Sequence, residues 1–190
     1  MKIYVDDKLA VREAVEVLRS GGLVMHPTET CYGLAVDVFS LSALRKLYEV
    51  KEMPLDKPIS ILVDGIDMAK KYGEFSDVAE KLARKYWPGP LSIVVPRKSD
   101  LPEFCNPSND FVSIRHSSSE FCLNLISLMG TPVSTTSANK FGEPEFYAPT
   151  PLEGVDLLVD GGLIEGTKPS TIVKVQGGKL QVLRQGSVEV

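Results

Sequence analysis

The sequence has few of the residues on which several kinds of protein depend. Its 190 residues include three cysteines and two histidines. Cys31, Cys105 and Cys122 are odd in number and widely spaced, which excludes a disulfide framework and is typical of a reducing compartment. His26 and His116 do not occur in a metal-binding spacing such as HExxH. We therefore expect neither a disulfide-rich secreted domain nor a protein-bound metal.

Long apolar runs are also missing. No run approaches the roughly 20 residues needed to span a bilayer, and the first residues, MKIYVDDKLAVREAV, lack the apolar centre of a secretory signal. We expect a cytoplasmic protein with no membrane partner. A net charge of −4 and a pI near 5.3 argue against a broad basic surface that tracks along nucleic acid. They are compatible with a compact positive pocket for a small polyanion.

The common catalytic motifs are absent as well. There is no GxGxxG dinucleotide fingerprint and no GxSxG nucleophile turn. The segment Gly161–Ser170 resembles a phosphate-binding loop, but Thr167-Lys168 invert the required order and Pro169 leads into a β-like run instead of a helix. Cys31 has no arranged base nearby in the sequence, so we interpret it as a half-buried thiol, not as a nucleophile.

Helical and strand patterns alternate along the chain, which predicts an α/β fold in a single domain, residues 1–190. The predicted helices are Leu9–Arg19, Leu41–Val50, Ser76–Trp87, and one that opens with a capping box at Ser117 to Glu120 and ends at Met129. The predicted strands are Lys2–Val5, Leu23–His26, Ile59–Val63, Leu91–Val95, Phe111–Ile114, Thr131–Thr135, Leu157–Val159 and Thr171–Val175, the last continuing into a carboxy-terminal hairpin. The strand-rich end favours a mixed sheet over a purely parallel one.

Four polar segments stand where such a fold would turn a corner. They are His26–Leu34, Lys51–Pro58, Ser113–His116 and Ser134–Lys140. Open α/β sheets place ligands at strand ends, and hydroxyl, amide and cationic groups suit a small polar ligand. Each segment taken alone also fits an ordinary turn or a solvated loop, with His26 as a hydrogen-bonded residue at a strand end.

Taken in order, these segments resemble the YrdC-like threonylcarbamoyl-AMP synthase family. The resemblance is carried by PTETCYGL, the K-x-x-P-x-x-K-P-I loop, WPGPLSIVV, a strand that ends on Arg115, TTSANKFGEP, PSTIV and VLRQG. It extends over nearly the whole chain. The resemblance implies a large twisted mixed open sheet with flanking helices and a concave, positively charged face. We interpret the WPGPL segment as structural, with Trp87 covering the core and the two prolines fixing the loop.

The activity implied by the resemblance is the synthesis of threonylcarbamoyl-AMP and pyrophosphate from L-threonine, bicarbonate and ATP, with Mg²⁺ accompanying ATP. The product would pass to a downstream tRNA-modifying threonylcarbamoyl transferase for threonylcarbamoyladenosine formation. By the same resemblance Lys51 and Arg115 are the catalytic residues. The residues implied for threonine binding are Thr28, Thr30, Tyr32, Ser137 and Ser170. Those implied for ATP binding are Lys51, Lys57, Arg115, Thr135, Ser137, Asn139 and Arg184.

Four residues depart from the family's pattern. Met53 stands where relatives usually carry arginine, and Leu62 where some have histidine. Ser117 and Thr136 each stand where proline is common. These departures keep a divergent YciO-like paralogue open as the alternative, acting as an RNA-binding module or a nucleotide hydrolase.

Overall fold

A computed structural model describes residues 2–5, 8–107, 109–165 and 168–190 of the chain. Within them the α-helices are α1 (Lys8–Arg19), α2 (Leu41–Val50), α3 (Ile66–Tyr72), α4 (Asp77–Tyr86) and α5 (Glu120–Met129), with a short 3-10 helix at Glu103–Cys105. The strands are β1 (Lys2–Val5), β2 (Val24–His26), β3 (Gly33–Ala35), β4 (Ser60–Leu62), β5 (Leu91–Pro96), β6 (Phe111–Arg115), β7 (Val133–Ser137), β8 (Leu157–Asp160), β9 (Thr171–Gln176) and β10 (Lys179–Arg184).

The strands described form one ten-stranded sheet in the order β1-β8-β2-β3-β7-β4-β6-β5-β9-β10. Four of its pairs are parallel: β1 with β8, β2 with β8, β4 with β6, and β5 with β9. The remaining pairs are antiparallel. The two end strands, β1 and β10, do not pair with each other, so the sheet is open. The predicted α/β fold with a large mixed open sheet is confirmed.

The helices form where apolar residues recur at helical spacing behind a capping residue. In α2 the residues Ala43, Leu44 and Leu47 are buried, and the Ser40 hydroxyl accepts a hydrogen bond from the Ala43 amide at 3.3 Å. Gly130, in the left-handed region at φ 71°, ends α5. In the part of the chain that the structure describes, no helix is long and apolar enough to cross a membrane.

Every predicted helix and strand is present, with shifts at the ends. The strand expected at Thr131–Thr135 lies at Val133–Ser137, because its pairing with β4 and β3 extends beyond the apolar run. The short elements β3 and α3 were not predicted, since neither carries a clear periodic pattern over so few residues. Gly166 and Thr167 of the rejected phosphate-loop candidate lie outside the described residues, and the segment that follows them is strand β9, not a helix.

The predicted capping box at Ser117 is wrong. The amino-terminal cap of α5 is Ser119, whose side chain makes no capping hydrogen bond. The Ser117 hydroxyl donates instead to the carboxylate of Glu29, which lies 88 residues earlier in the chain. A hydrogen bond to a charged acceptor is stronger than a neutral capping bond, so the tertiary contact prevails over the local motif.

The β4-to-β10 half of the sheet has two chemically different faces. On one face, Ile61, Ile114, Ile93 and Val173 are paired across neighbouring strands and are all fully buried, on the side where α4 contacts β5. Because successive side chains of a strand point to opposite faces, the intervening residues face the other way. Five of these intervening positions form the floor of a cleft, and all but Ile172 carry a hydroxyl or basic group: Ser60, Ser92, Arg115, Ile172 and Arg184.

Candidate active site

A cleft of about 470 Å³ opens on the polar face of the sheet. All residues that the resemblance implied for catalysis and binding line it, although they come from six separate segments of the chain. They are Thr28, Thr30, Tyr32, Lys51, Lys57, Arg115, Thr135, Ser137, Asn139, Ser170 and Arg184. The structure brings these residues together around one cleft, and their roles stay predictions.

Sheet register explains how distant basic residues meet on the cleft floor. Arg115 of β6 pairs with Ser92 of β5, Ser92 pairs with Ile172 of β9, and Ile172 pairs with Arg184 of β10. Residues paired across strands share a face of the sheet. The row therefore carries an arginine at each end with a serine and an isoleucine between them, and two separated guanidinium groups suit an elongated anion.

Lys51 is held inside the cleft wall and is only 2% exposed. It caps the carboxyl end of α2, and its ammonium donates to the Ser137 carbonyl at 2.6 Å, the Asn139 carbonyl at 2.9 Å and Asn139 Oδ1 at 3.0 Å. An ammonium has three donors, so all of them are used within the protein. Burial lowers the pKa of Lys51 to about 8. Lys51 thus supplies a buried positive charge and fixes the turn after β7.

That turn is organised around the Asn139 side chain. Its Oδ1 also accepts a hydrogen bond from the Ser137 hydroxyl at 2.6 Å, and its Nδ2 donates to the Glu143 carbonyl at 2.6 Å. Asn139 therefore connects the end of β7 to the following loop. Together with Lys51 it presents this hydroxyl-rich segment to the cleft in one arrangement.

Arg115 is a buried arginine with a buried carboxylate partner. Its Nη2 lies 2.9 Å from Oε1 of Glu29, with the two side chains 8% and 17% exposed, and donates to the Thr30 hydroxyl at 3.1 Å. Burial by itself would raise the pKa of Glu29, but Arg115 and the hydroxyl of Ser117 outweigh it and hold the pKa below its usual value. The buried Nε of Arg115 has no hydrogen-bond partner among the described residues, which leaves donor capacity for a ligand.

Thr28 shapes the loop that leaves β2. Its hydroxyl donates to the Cys31 carbonyl at 2.6 Å and accepts hydrogen bonds from the amides of Thr30 and Cys31 at 3.1 and 3.2 Å. These local bonds form a hydroxyl-stabilised turn, which is the ordinary interpretation that this segment also allowed. The turn has the further effect of holding Thr30 against Arg115.

Tyr32 is fully buried, and its hydroxyl is used within the protein. It donates to the Gly162 carbonyl at 2.8 Å and accepts from the Gly161 amide at 3.0 Å. The ring forms part of the cleft wall while its hydroxyl anchors the segment after β8. Tyr32 therefore shapes the pocket by fixing two chain segments relative to each other.

The far side of the cleft is closed by Ser170 and Arg184. The Arg184 guanidinium donates from Nε to the Ser170 carbonyl and from Nη2 to the Ser170 hydroxyl, each at 3.0 Å. The Ser92 hydroxyl lies 3.4 Å from the same Ser170 hydroxyl. This contact orients Arg184 over the cleft from the carboxy-terminal hairpin.

Lys57 and Thr135 are the less constrained members of the set. Lys57 is exposed, and its ammonium lies 5.8 Å from the centroid of the Phe141 ring. Thr135 is nearly buried and is paired with Ser60 across β7 and β4. Both are thus placed to contact a ligand without first breaking an ion pair.

The cleft is positive by formal charge. Its lining includes four basic residues, Lys51, Lys57, Arg115 and Arg184, against the carboxylates of Glu143 and Glu145. The described residues contain no group of three or more His, Cys, Asp or Glu side chains that could hold a metal ion. The geometry therefore suits a polyanion bound by basic and hydroxyl groups.

Two residues considered as candidates from the sequence have structural surroundings. His26 ends β2, its Nδ1 lies 3.1 Å from the Pro27 carbonyl, and burial lowers its pKa to about 4. Cys31 lines the cleft but is only 8% exposed, and burial raises the pKa of its thiol. These surroundings favour the interpretation made from the sequence, in which His26 is a hydrogen-bonded residue at a strand end and Cys31 is a buried thiol and not a nucleophile.

Several cleft residues were not predicted. Ser60 and Ser92 line the floor, and Glu29, outside the lining, forms the ion pair that positions Arg115. A signal for the serines exists in the sequence, because both alternate with aliphatic residues that face the core. Glu29 lies inside a recognised motif, but its partner Arg115 is 86 residues away in sequence, so local patterns could not identify the pair.

The chain has clear relatives among known proteins. Residues 16–186 match the Sua5/YciO/YrdC family model, which is described as telomere recombination. A protein of Methanocaldococcus jannaschii, provisionally named threonylcarbamoyl-AMP synthase, is 31% identical over all of this chain and 94% of its own length. The threonylcarbamoyl-AMP synthase of Pyrococcus abyssi is 31% identical over 94% of this chain, but the match spans only 54% of that larger protein.

Solved structures give the same assignment. The P. abyssi Sua5 structure in complex with L-threonine superposes with a TM-score of 0.90 and 28% identity, over 97% of this chain and 57% of that one. The Escherichia coli YciO structure superposes with a TM-score of 0.88 at 20% identity, over 99% and 95% of the two chains, which shows the shared fold. With the family model matched over most of its length, the chain belongs to the Sua5/YciO/YrdC family.

Proposed function

We propose that this chain is a threonylcarbamoyl-AMP synthase, which forms threonylcarbamoyl-AMP and pyrophosphate from L-threonine, bicarbonate and ATP. The observation that carries the proposal is the single positive cleft lined by every residue that the sequence implied for these substrates. The relatives that carry this enzyme name support it. The proposed product passes to a tRNA-modifying threonylcarbamoyl transferase.

The proposed reaction has two steps. The neutral amine of threonine attacks the carbon of bicarbonate, forming a C–N bond and releasing water to give a carbamate. A carbamate oxygen then attacks the α-phosphorus of ATP, and the bond to the β-phosphate oxygen breaks to release pyrophosphate. Neither step needs a covalent bond to the protein, so positioning and charge stabilisation are the contributions expected of the cleft.

The cationic residues divide this work according to how freely they can move. Arg115 is fixed by Glu29 and suits a constant anionic group, such as the carboxylate of threonine or a phosphate. Arg184 is held over the cleft by Ser170 and suits a phosphate that binds there, whereas Lys57, on an exposed loop, can close on the triphosphate. Lys51 acts through the turn that it holds, while its buried charge lowers the cost of bringing phosphate into the cleft.

Mg²⁺ is proposed to enter with ATP, where it would neutralise part of the charge on the phosphate oxygens. Magnesium in nucleotide sites is commonly held by substrate phosphates, waters and one or two carboxylates. Glu143 and Glu145 are the carboxylates that line this cleft and fit that requirement. Hydroxyls of the turn after β7 would meet the phosphates directly.

The test is pyrophosphate release by purified protein with ATP, Mg²⁺ and bicarbonate, in the presence and absence of L-threonine. We expect release only when threonine and bicarbonate are both present. The variant Arg184→Ala tests the contribution of the cleft, and Arg84, an arginine outside it whose side chain is 70% exposed, offers the matched control. Arg84→Ala is expected to retain full activity.

The other outcomes identify the alternatives. Release of pyrophosphate or phosphate without threonine would indicate a nucleotide hydrolase. A protein that turns over no ATP but binds RNA in a salt-dependent manner would be the RNA-binding module. Either result would overturn the synthase proposal.

A further inference from the structure

One exposed aromatic ring stands out in the lining of the cleft. Phe141 lines the cleft and remains 49% exposed. Most of the other lining groups are hydroxyls, basic residues and carboxylates. A large apolar side chain left open to solvent within a ligand cleft is a candidate contact for an apolar part of the ligand.

The backbone around this ring is held in place. The Phe141 amide donates to the Lys51 carbonyl at 2.7 Å, and the neighbouring Lys140 ammonium lies 2.5 Å from a carboxylate oxygen of Glu52. Gly142, in the left-handed region at φ 86°, turns the chain directly afterwards. The ring is therefore presented from a turn that is fastened to the end of α2.

A cation lies beside the ring, and apolar residues line the same cleft. Met53 and Pro58 line the same cleft, on the segment to which the Phe141 turn is fastened. The Lys57 ammonium rests 5.8 Å from the ring centroid. An exposed cation–π contact is weak, whereas an ammonium–phosphate contact is charge-assisted, so a phosphate would draw Lys57 away and leave the ring face open.

We propose that the Phe141 ring is the stacking surface for the purine base of the nucleotide. The base lies against Phe141, at the end of the cleft that Met53 and Pro58 make apolar, while the attached phosphates extend towards the basic residues. The inference rests on the proposed function, because it takes ATP as the ligand. The inference assigns Phe141 the recognition of the base, whereas the basic residues bind the phosphates.

The test compares two probes that share phosphates but differ in the base. Dissociation constants for ATP and for inorganic tripolyphosphate are measured with Mg²⁺ by calorimetry on wild type and Phe141→Leu. Leucine keeps an apolar side chain but removes the aromatic face. We expect the Kd for ATP to rise about ten-fold, which corresponds to about 1.4 kcal/mol and lies within the range found for base–aromatic stacking. The Kd for tripolyphosphate stays unchanged.

Two further variants make the result specific. Phe39 is also an exposed aromatic residue but lies outside the cleft, so Phe39→Leu should change neither constant. Phe141→Trp keeps an aromatic face, and its added fluorescence should be quenched by ATP but not by tripolyphosphate. Retained ATP affinity in Phe141→Trp would also show that the turn tolerates substitution.

Each remaining outcome contradicts the inference in an identifiable way. Equal ATP affinity in wild type and Phe141→Leu would show that the base does not stack on this ring, and it would leave the synthase proposal intact. Equal weakening of both probes would mean that Phe141 supports the phosphate site instead. A wild-type protein that binds tripolyphosphate and ATP equally well would show that the base is not recognised. Absence of ATP binding would overturn the proposed function as well.

Discussion

Replacing Glu29 by glutamine tests whether the buried ion pair with Arg115 holds the cleft together. The two side chains are 17% and 8% exposed, and their charged atoms lie 2.9 Å apart. Removing one partner of a buried pair costs about 3–5 kcal/mol, because the other charge is left uncompensated. Glutamine keeps an acceptor oxygen in place of Oε1, which accepts from the Ser118 amide, and the Ser117 hydroxyl, which donates to Oε2, can instead accept from the new amide group. We therefore expect a loss near the lower limit, about 3 kcal/mol.

The same substitution should change the pH dependence of stability. The pKa of Glu29 is held below its usual value of 4.5, so the unfolded chain takes up this proton at a higher pH than the folded one. The contribution of Glu29 is therefore fully present above pH 4.5 and is lost as the pH falls through the folded-state pKa. The difference in free energy of unfolding between wild type and Glu29→Gln should shrink in that acidic range. Urea denaturation at a series of pH values measures it.

Glu52 provides the matched control. It also pairs with a basic residue, Lys140, at 2.5 Å, but the side chains are 65% and 44% exposed. Exposed pairs contribute about 0–1 kcal/mol, so Glu52→Gln should leave the unfolding midpoint nearly unchanged. If Glu29→Gln were as stable as wild type at pH 7, the ion pair would not be a structural support of the cleft, and the reasoning would be refuted.

Four further predictions concern individual cleft residues. Arg184→Ala should lower kcat/KM for pyrophosphate release by about 10²-fold, through loss of stabilising charge near the phosphates, and unchanged turnover would remove it from the site. The Kd for ATP should rise as the pH passes about 8, where Lys51 loses its proton, and the Lys51→Met profile should be flat in that range. Met53→Arg should tighten ATP binding about five-fold or more, because a long cationic side chain can reach from the base end of the cleft to the nearest phosphate and add one charge-assisted bond, and calorimetry showing no gain would mean that the side chain does not reach the phosphates. Tyr32→Phe should lower the free energy of unfolding by about 0.5–1.5 kcal/mol, since it removes the hydrogen bonds to the backbone of Gly161 and Gly162, and an unchanged urea midpoint would contradict this.

The elements of the fold were largely predictable because their patterns are local. The hairpin of β9 and β10 turns at Gly177-Gly178, where the sequence places its turn residues between two apolar runs. The helix α2 has the predicted bounds Leu41–Val50. The pairing order of the sheet is set by contacts between distant segments, and no periodic pattern in one segment specifies its neighbours.

The sequence indicated which residues would line the cleft, but not which hydrogen bonds their side chains make within the protein. Lys51 was expected to face phosphate, whereas its ammonium is bonded to carbonyls 86 and 88 residues away. Tyr32 was expected to bind threonine; it lines the cleft, but its hydroxyl bonds to a loop 130 residues later. Such partners depend on the folded topology, which composition and spacing do not encode.

The half of the sheet from β4 to β10, with a packed apolar face and a face that lines the cleft, affects which substitutions the protein can accept. Aliphatic positions such as Ile61 and Ile93 carry the packing, while their neighbours Ser60 and Ser92 line the cleft on the other face. A substitution at a serine alters what the floor offers a ligand without opening a cavity in the core. Ligand preference and foldedness are thus encoded at alternating residues of the same strands, so this scaffold can diverge in chemistry while its fold stays intact.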